Sequence, residues 1–157
     1  AVDPGLDGVL ETPQLGHREP RGPAVVAGGG HVDLGPVAVA AAGDGRRVTW
    51  HDACHGLREL GLKEEPRRLL KAVEGVELVE MQNADVCCGF GGTFSVKYPE
   101  ISAGMLDNKI EAIENANVEA VVSCDASCLM QIGGRLSRLG SKVKAMHIAE
   151  ILAGENS

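Results

Sequence analysis

The feature that most constrains this sequence is a pair of adjacent cysteines, Cys87 and Cys88, followed at once by the glycine-rich segment Gly89-Phe90-Gly91-Gly92. Two cysteines that are neighbours in the chain cannot readily bridge to each other, because disulfide geometry requires side chains that face one another. The glycines permit a tight turn and a close approach of the backbone to a bound group. The segment therefore predicts a site for a metal ion or a metal cluster.

The other three cysteines flank this pair. Cys54 and Cys87 are separated by 32 residues, Cys88 and Cys124 by 35, and Cys124 and Cys128 by three. An odd number of cysteines, two of them adjacent, favours reduced thiols that bind a metal over a secreted disulfide framework. We therefore expect a reducing compartment, the cytoplasm.

Charge and hydropathy exclude several classes of partner. The net charge of -7 at pH 7 provides no basic footprint for nucleic acid or anionic lipid, since either partner requires clustered Lys and Arg. No apolar run approaches the ~18 residues that span a bilayer, and the first residues lack the pattern of a secretory signal. With 44% hydrophobic residues, the chain is expected to form one cytoplasmic domain with no membrane span.

The first 45 residues differ in composition from the rest. They hold ten of the 21 glycines, five of the seven prolines and none of the cysteines, and they show neither helical nor strand periodicity. We expect residues 1–45 to be a disordered or irregular arm, followed by a cysteine-rich domain over residues 46–157. Because translation of a GC-rich gene out of frame produces such a bias, a frameshift upstream of Arg46 is a further hypothesis.

Strands and helices alternate from Arg46 onward. Helices are predicted to begin near Pro66, Pro99, Ser127 and His147, after the predicted strands Val48–Trp50, Val76–Met81, Val118–Val122 and Lys142–Met146. The helix that begins near Pro99 has an apolar face formed by Ala103, Leu106, Ile110 and Ile113. Such alternation implies a parallel sheet with right-handed crossovers. We predict an α/β fold: a single Rossmann-like, three-layer domain with a four-stranded, mainly parallel sheet.

Every cysteine follows a predicted strand. Cys54 follows the first strand, Cys87 and Cys88 follow the second, and Cys124 and Cys128 follow the third. Ligands of parallel sheets bind beyond the carboxyl ends of the strands. We therefore expect the thiols to converge on one site, although separate buried cysteines that act as small hydrophobic residues are an alternative.

Two histidines and an aspartate lie beside these cysteines. His51 and His55 flank Cys54, and each could ligate a metal or order the loop through a backbone hydrogen bond. We interpret both as loop-ordering residues. Asp125 is predicted to cap the helix that begins near Ser127.

Three segments around the cysteines resemble a known family. His51 to Gly61, Cys87 to Pro99 and Ser123 to Met130 are similar to the cysteine-rich CCG domain of iron-sulfur oxidoreductase subunits. The similarity is greatest to the C-terminal CCG repeat of the lactate utilisation protein A family. Glycolate oxidase iron-sulfur subunits and the heterodisulfide reductase B subunit resemble the sequence more distantly.

The resemblance implies an iron-sulfur cluster, of the 4Fe-4S type, in an electron-transfer subunit of a multisubunit system that oxidises L-lactate or a related 2-hydroxy acid such as glycolate. It implies a cofactor site formed by Gly89 and all five cysteines, with metal ligands Cys54, Cys87, Cys88 and Cys128. It implies no catalytic residue. Since the sequence has no flavin or nicotinamide fingerprint and no ferredoxin-type cysteine run, substrate oxidation is expected to belong to partner subunits that carry ferredoxin-type clusters.

Three other functions stay open. Cys54, Cys87, Cys88 and Cys128 would also close a four-thiolate structural zinc site. Cys124 and Cys128 would form a reversible disulfide in a thiol switch. Because the resembling proteins have two CCG repeats and this sequence has one, a non-functional fragment that lacks the first repeat is the third alternative.

Cys124 and Cys128 are one residue further apart than in the heterodisulfide reductase pattern, and of these two cysteines Cys128 is the preferred ligand.

Overall fold

The computed structural model describes residues 45–154, which form a parallel sheet and its covering helices. The strands are β1 Arg46–Trp50, β2 Val76–Leu78, β3 Ala120–Ser123 and β4 Lys144–His147. The helices are α1 Glu65–Ala72, α2 Thr93–Lys97, α3 Pro99–Asn115, α4 Ala126–Arg138 and α5 Ile148–Leu152, with a π-helical turn at His55–Glu59. The predicted arm, residues 1–45, lies outside the described residues except for Gly45.

The strands lie in the order β2-β1-β3-β4, and all three pairs are parallel. The predicted α/β fold is confirmed, with a sheet that is parallel throughout rather than mainly so. Strand β2 pairs with one edge of β1, and the chain then crosses back so that β3 pairs with the opposite edge of β1. The connections after β1 and β3 therefore diverge, and this switch point at the carboxyl ends is where open α/β sheets bind ligands.

Two apolar cores cover the two faces of the sheet. One core includes Val121 of β3, Ile110 of α3 and Ile132 of α4. The other includes Val122 of β3, with residues of α1 and α5 such as Leu70 and Ile151. Consecutive residues of β3 point to opposite faces and both are buried. This explains why the strand is a continuous apolar run and why the domain has three layers.

The bounds of β1, β3 and β4 differ from the sequence prediction by one or two residues at an end, and two other elements differ more. Strand β2 ends at Leu78 rather than at Met81, because the Met81 N–H donates to the Thr49 hydroxyl at 3.1 Å instead of to a backbone carbonyl. Helix α2 was not predicted. None of its residues is buried, so its sequence has no apolar stripe to reveal it.

The buried face of α3 contains two polar residues that the predicted apolar face does not include. Leu106, Ile110 and Ile113 are buried as predicted, but Ala103 is exposed, so that part of the prediction is wrong. Ser102 and Lys109 are buried instead. The Ser102 hydroxyl donates to the Gly89 carbonyl at 2.8 Å, and Lys109 Nζ donates to the carbonyls of Asn83 and Ala84. Helix α3 therefore fixes both ends of the loop that carries Cys87 and Cys88.

None of the helices within residues 45–154 combines the length and the apolar composition needed to cross a bilayer.

Candidate metal centre

Three metal-binding side chains meet at the carboxyl edge of the sheet. His51 follows β1, Cys88 lies in the loop after β2, and Cys128 lies in the first turn of α4. Their donor atoms all lie within 4.8 Å of one another, and the residues are only 1%, 2% and 6% exposed. Imidazole and thiolate are ligands that zinc and iron prefer. These three donors can hold a metal ion.

The backbone of His51 is fixed, whereas its ring is not. The His51 N–H donates to the Val122 carbonyl at 2.8 Å, and the Ser123 hydroxyl donates to the His51 carbonyl at 3.1 Å. Neither ring nitrogen has a hydrogen-bond partner among residues 45–154. The interpretation of His51 as a residue that orders its loop through its side chain is therefore wrong. The exposed His55 pairs with Glu59 within the π-helical turn, at 3.0 Å between Nδ1 and Oε2.

Gly89 directs the neighbouring thiols. Its φ is +84°, and a Cβ at this position would lie 2.6 Å from the Ser102 carbonyl oxygen, so only glycine fits without displacement. The Gly89 N–H donates to Cys87 Sγ at 3.3 Å. Cys87 stays half-buried while Cys88 turns into the interior.

Cys88 and Cys128 interact as a buried pair of thiols. A hydrogen bond between the two sulfurs is the main cause that lowers the pKa of Cys88. Burial opposes this shift, whereas the imidazole of His51 and the Phe90 amide favour the thiolate. The same interaction with Cys88, together with burial, raises the pKa of Cys128. The thiolate is the form that binds metal, and the protein stabilises it at Cys88.

The remaining predicted cysteines differ in burial from this group of three. Cys54 is exposed and Cys87 is half-buried, and the charge of Cys54 acts on Cys128, so the ligation of both stays a prediction. Cys124 packs against the apolar core on the other face of the sheet, and burial raises its pKa. Its sulfur lies 3.4 Å from the position that a Cβ at Gly56 would occupy. All five thiols are free.

Asp125 caps helix α4, as predicted, and one of the amides it caps is that of Cys128. Asp125 Oδ1 accepts hydrogen bonds from the backbone N–H groups of Ser127 at 2.9 Å and Cys128 at 3.2 Å. We expect Asp125→Ala to lower the free energy of unfolding by about 1 kcal/mol, because two N-terminal amides of α4 lose their acceptor. Urea unfolding of the reduced chain measures this change. Asp125→Asn keeps an acceptor and should stay close to the parent, and an unchanged midpoint for Asp125→Ala would contradict the capping role.

The parallel sheet and the buried His and Cys side chains at its carboxyl edge define a cysteine-rich α/β domain with a candidate metal centre. The family model described as a cysteine-rich domain, CCG, matches residues 48–133. The chain belongs to this family, which confirms the resemblance found in the sequence.

Relatives with similar sequences carry the name Lactate utilization protein A. The chain is 57% identical over 106 residues to the protein of Geobacillus sp. (strain WCH70), 52% over 110 residues to that of Geobacillus kaustophilus (strain HTA426) and 46% over 121 residues to that of Exiguobacterium sp. (strain ATCC BAA-1283 / AT1b). The matches cover 68%, 70% and 77% of this chain but 44%, 46% and 49% of the relatives. The chain therefore spans about half of their length and matches their C-terminal part.

Proposed function

We propose that this chain is an iron-sulfur electron-transfer subunit of a system that oxidises L-lactate or a related 2-hydroxy acid. The observation that carries the proposal is the buried group of His51, Cys88 and Cys128, whose donor atoms lie within 4.8 Å of one another. Thiolates are the usual ligands of iron-sulfur clusters. The name of the relatives supports lactate as the substrate of the whole system.

The residues present fit such a centre. A buried imidazole lacks a hydrogen-bond partner within residues 45–154, the Cys88 thiolate is favoured, and Gly89 has no side chain to obstruct the loop. Cys88 and Cys128 would hold the cluster, with Cys87 and Cys54 as further thiolate ligands. A bound iron-sulfur cluster accepts and donates single electrons, at a potential that depends on local charge, hydrogen bonding and exposure.

Charged groups around the site would influence that potential. Burial lowers the pKa of Lys109, and the negative charges of Cys88 and Asp85 act in the opposite direction. The Lys109 amine is held against the loop carbonyls of Asn83 and Ala84. As a cation it would partly offset the negative charge of the thiolates, which favours the reduced form of a centre bound beside it.

Partner subunits are part of this proposal. Val96, Tyr98 and Ile101 follow the glycine turn and are 79%, 54% and 58% exposed. Exposed apolar side chains that lie close together in the sequence suit a protein contact. We propose that this surface meets a subunit that carries ferredoxin-type clusters and delivers electrons to or from the thiolate site.

A structural zinc site is the second candidate function. One imidazole and two thiols are a common part of closed zinc sites, which need no open coordination position. The complete burial of all three donors favours this alternative. Bound zinc would then stabilise the fold without redox activity.

The test is the visible absorption spectrum of the full chain, purified anaerobically and reconstituted with iron and sulfide, with analysis of iron, acid-labile sulfide and zinc. We expect brown protein that dithionite bleaches reversibly. Cys88→Ser should abolish the colour because it removes one of the two buried sulfur donors of the group. Cys124→Ser is the matched control, since Cys124 packs in the other core, and it should keep the colour.

Each alternative gives a different result. Colourless protein with stoichiometric zinc that Cys88→Ser removes would replace the electron-transfer proposal with the structural one. Protein without metal after reconstitution would overturn both, and would favour a fragment that lacks a necessary second repeat.

A further inference from the structure

His51 and His55 lie on either side of Cys54, but the fold gives them different surroundings. His51 is 1% exposed, and parallel pairing of β1 with β3 holds its backbone beside Val122 and Ser123. His55 is exposed and pairs with Glu59. Of these two histidines, His51 therefore has the buried ring, and its backbone is held by β3.

The ring of His51 needs a partner. Both of its nitrogens are buried without a hydrogen bond in the part of the chain that the structure describes. A buried polar group left unpaired costs about 1–3 kcal/mol, and such groups are rare enough in native proteins to call for an explanation. A metal ion would satisfy one nitrogen by direct coordination.

The neighbours of the ring are suited to share that ion. The sulfurs of Cys88 and Cys128 and a ring nitrogen of His51 all lie within 4.8 Å of one another. Around one tetrahedral ion with bonds of about 2.0 Å to nitrogen and 2.3 Å to sulfur, ligand atoms lie roughly 3.3–3.8 Å apart. The donor atoms of the group are therefore close to the spacing that one shared ion requires.

We propose that His51 ligates the same metal centre as Cys88 and Cys128, through one ring nitrogen. This inference rests on the proposed metal centre, and it changes the chemistry of that centre from all-thiolate to mixed imidazole and thiolate. Coordination requires a neutral imidazole and deprotonated thiols, so metal binding releases protons. A neutral ligand in place of a thiolate leaves the centre less negative, which raises the reduction potential of an iron-sulfur site.

The test uses Zn²⁺ alone as the probe, added to the reduced, metal-free full chain under anaerobic conditions. X-ray absorption at the zinc edge should show imidazole scattering together with sulfur in the parent protein. His51→Ala should lose the imidazole scattering and weaken Zn²⁺ binding by more than about 100-fold, beyond the 10–100-fold typical of residues that only support a ligand. His55→Ala is the matched control, and it should change neither the scattering nor the affinity.

A second variant guards against a folding defect. His51→Cys restores a donor, and we expect it to bind Zn²⁺ with sulfur scattering only and with circular dichroism like that of the parent. Sulfur-only scattering in the parent, or imidazole scattering that persists in His51→Ala, would overturn the role of His51 while leaving the metal centre intact. A parent protein that binds no Zn²⁺ and no iron would overturn the inference together with the proposed centre.

Discussion

Arg67→Met is expected to lower the free energy of unfolding by about 3–5 kcal/mol, as is typical when one partner of a buried ion pair is removed. The two terminal nitrogens of Arg67 donate to the Asp52 carboxylate at 2.9 and 2.8 Å. Nε donates to Glu80 Oε1 at 2.7 Å. Methionine would fill part of the volume but leave the buried Asp52 without its counter-charge.

Asp52 has little else to stabilise its charge. Burial opposes its ionisation, and hydrogen bonds from Arg67 and Trp50 outweigh burial and hold the pKa of Asp52 below its usual value. Without Arg67, the bond from Trp50 Nε1 at 2.7 Å is its remaining side-chain hydrogen bond within residues 45–154. Because Asp52 follows His51 directly, the substitution should also loosen the candidate metal site and weaken Zn²⁺ binding.

Urea unfolding of the reduced full chain measures the loss, and two variants isolate its cause. Arg68→Met changes the next residue of α1, whose half-exposed side chain makes, within residues 45–154, only a long ion pair to Glu65, 3.9 Å from Nη2 to Oε1. It should alter the free energy of unfolding by less than about 0.5 kcal/mol. Arg67→Lys keeps the charge but loses the planar guanidinium group that donates to both carboxylate oxygens of Asp52. We therefore expect its free energy of unfolding to lie between those of the parent and Arg67→Met. Equal stability of the Arg67→Met and Arg68→Met variants would show that the buried network contributes nothing.

Local patterns were sufficient to predict the layout of the domain. Apolar runs followed by helix-initiating residues such as Pro99 and Asp125 mark the alternation of strands and helices. Parallel strands then place their carboxyl ends at one edge. The convergence of Cys88 with Cys128 follows from this rule without any knowledge of individual contacts.

The burial of His51 at the candidate site could not be predicted from the local sequence, since nothing near it distinguishes it from His55. The difference comes from residues 71 and 72 positions further along the chain, Val122 and Ser123, which hold the His51 backbone. The separation of Cys124 from Cys128 has a similar origin. The chain turns between β3 and α4, and the turn places the two thiols in different cores.

Apolar periodicity also could not identify the buried polar residues of α3. A count of apolar positions does not include Ser102 and Lys109, yet both bury their polar atoms against loop carbonyls. Those carbonyls belong to the loop that carries Cys87 and Cys88. Such pairings of side chain and backbone are set by tertiary structure, and they occur where the fold supports the candidate site.

Gly89→Ala is expected to lower the free energy of unfolding by about 2–5 kcal/mol and to abolish metal binding. Alanine at a φ of +84° incurs about 1–2 kcal/mol of conformational strain, and overpacking of a filled interior adds typically 1–3 kcal/mol. The new methyl group would lie 2.6 Å from the Ser102 carbonyl oxygen and 3.2 Å from Met105 Cβ. Because the first contact is with the backbone of a 17-residue helix, the loop must move, and Cys88 moves with it.

Gly92→Ala separates the steric effect from the conformational one. Gly92 also has a positive φ, +56°, but no atom lies within 4 Å of the position of its Cβ. At a φ of +56° and a ψ of −112°, alanine there should cost backbone strain of about 1–3 kcal/mol without a steric overlap, and it should leave Zn²⁺ binding and visible absorption unchanged. If Gly89→Ala also retains the metal, the close packing of this turn on α3 does not position Cys88. Loss of metal in Gly89→Ala alone would show that this contact holds the thiol at the site.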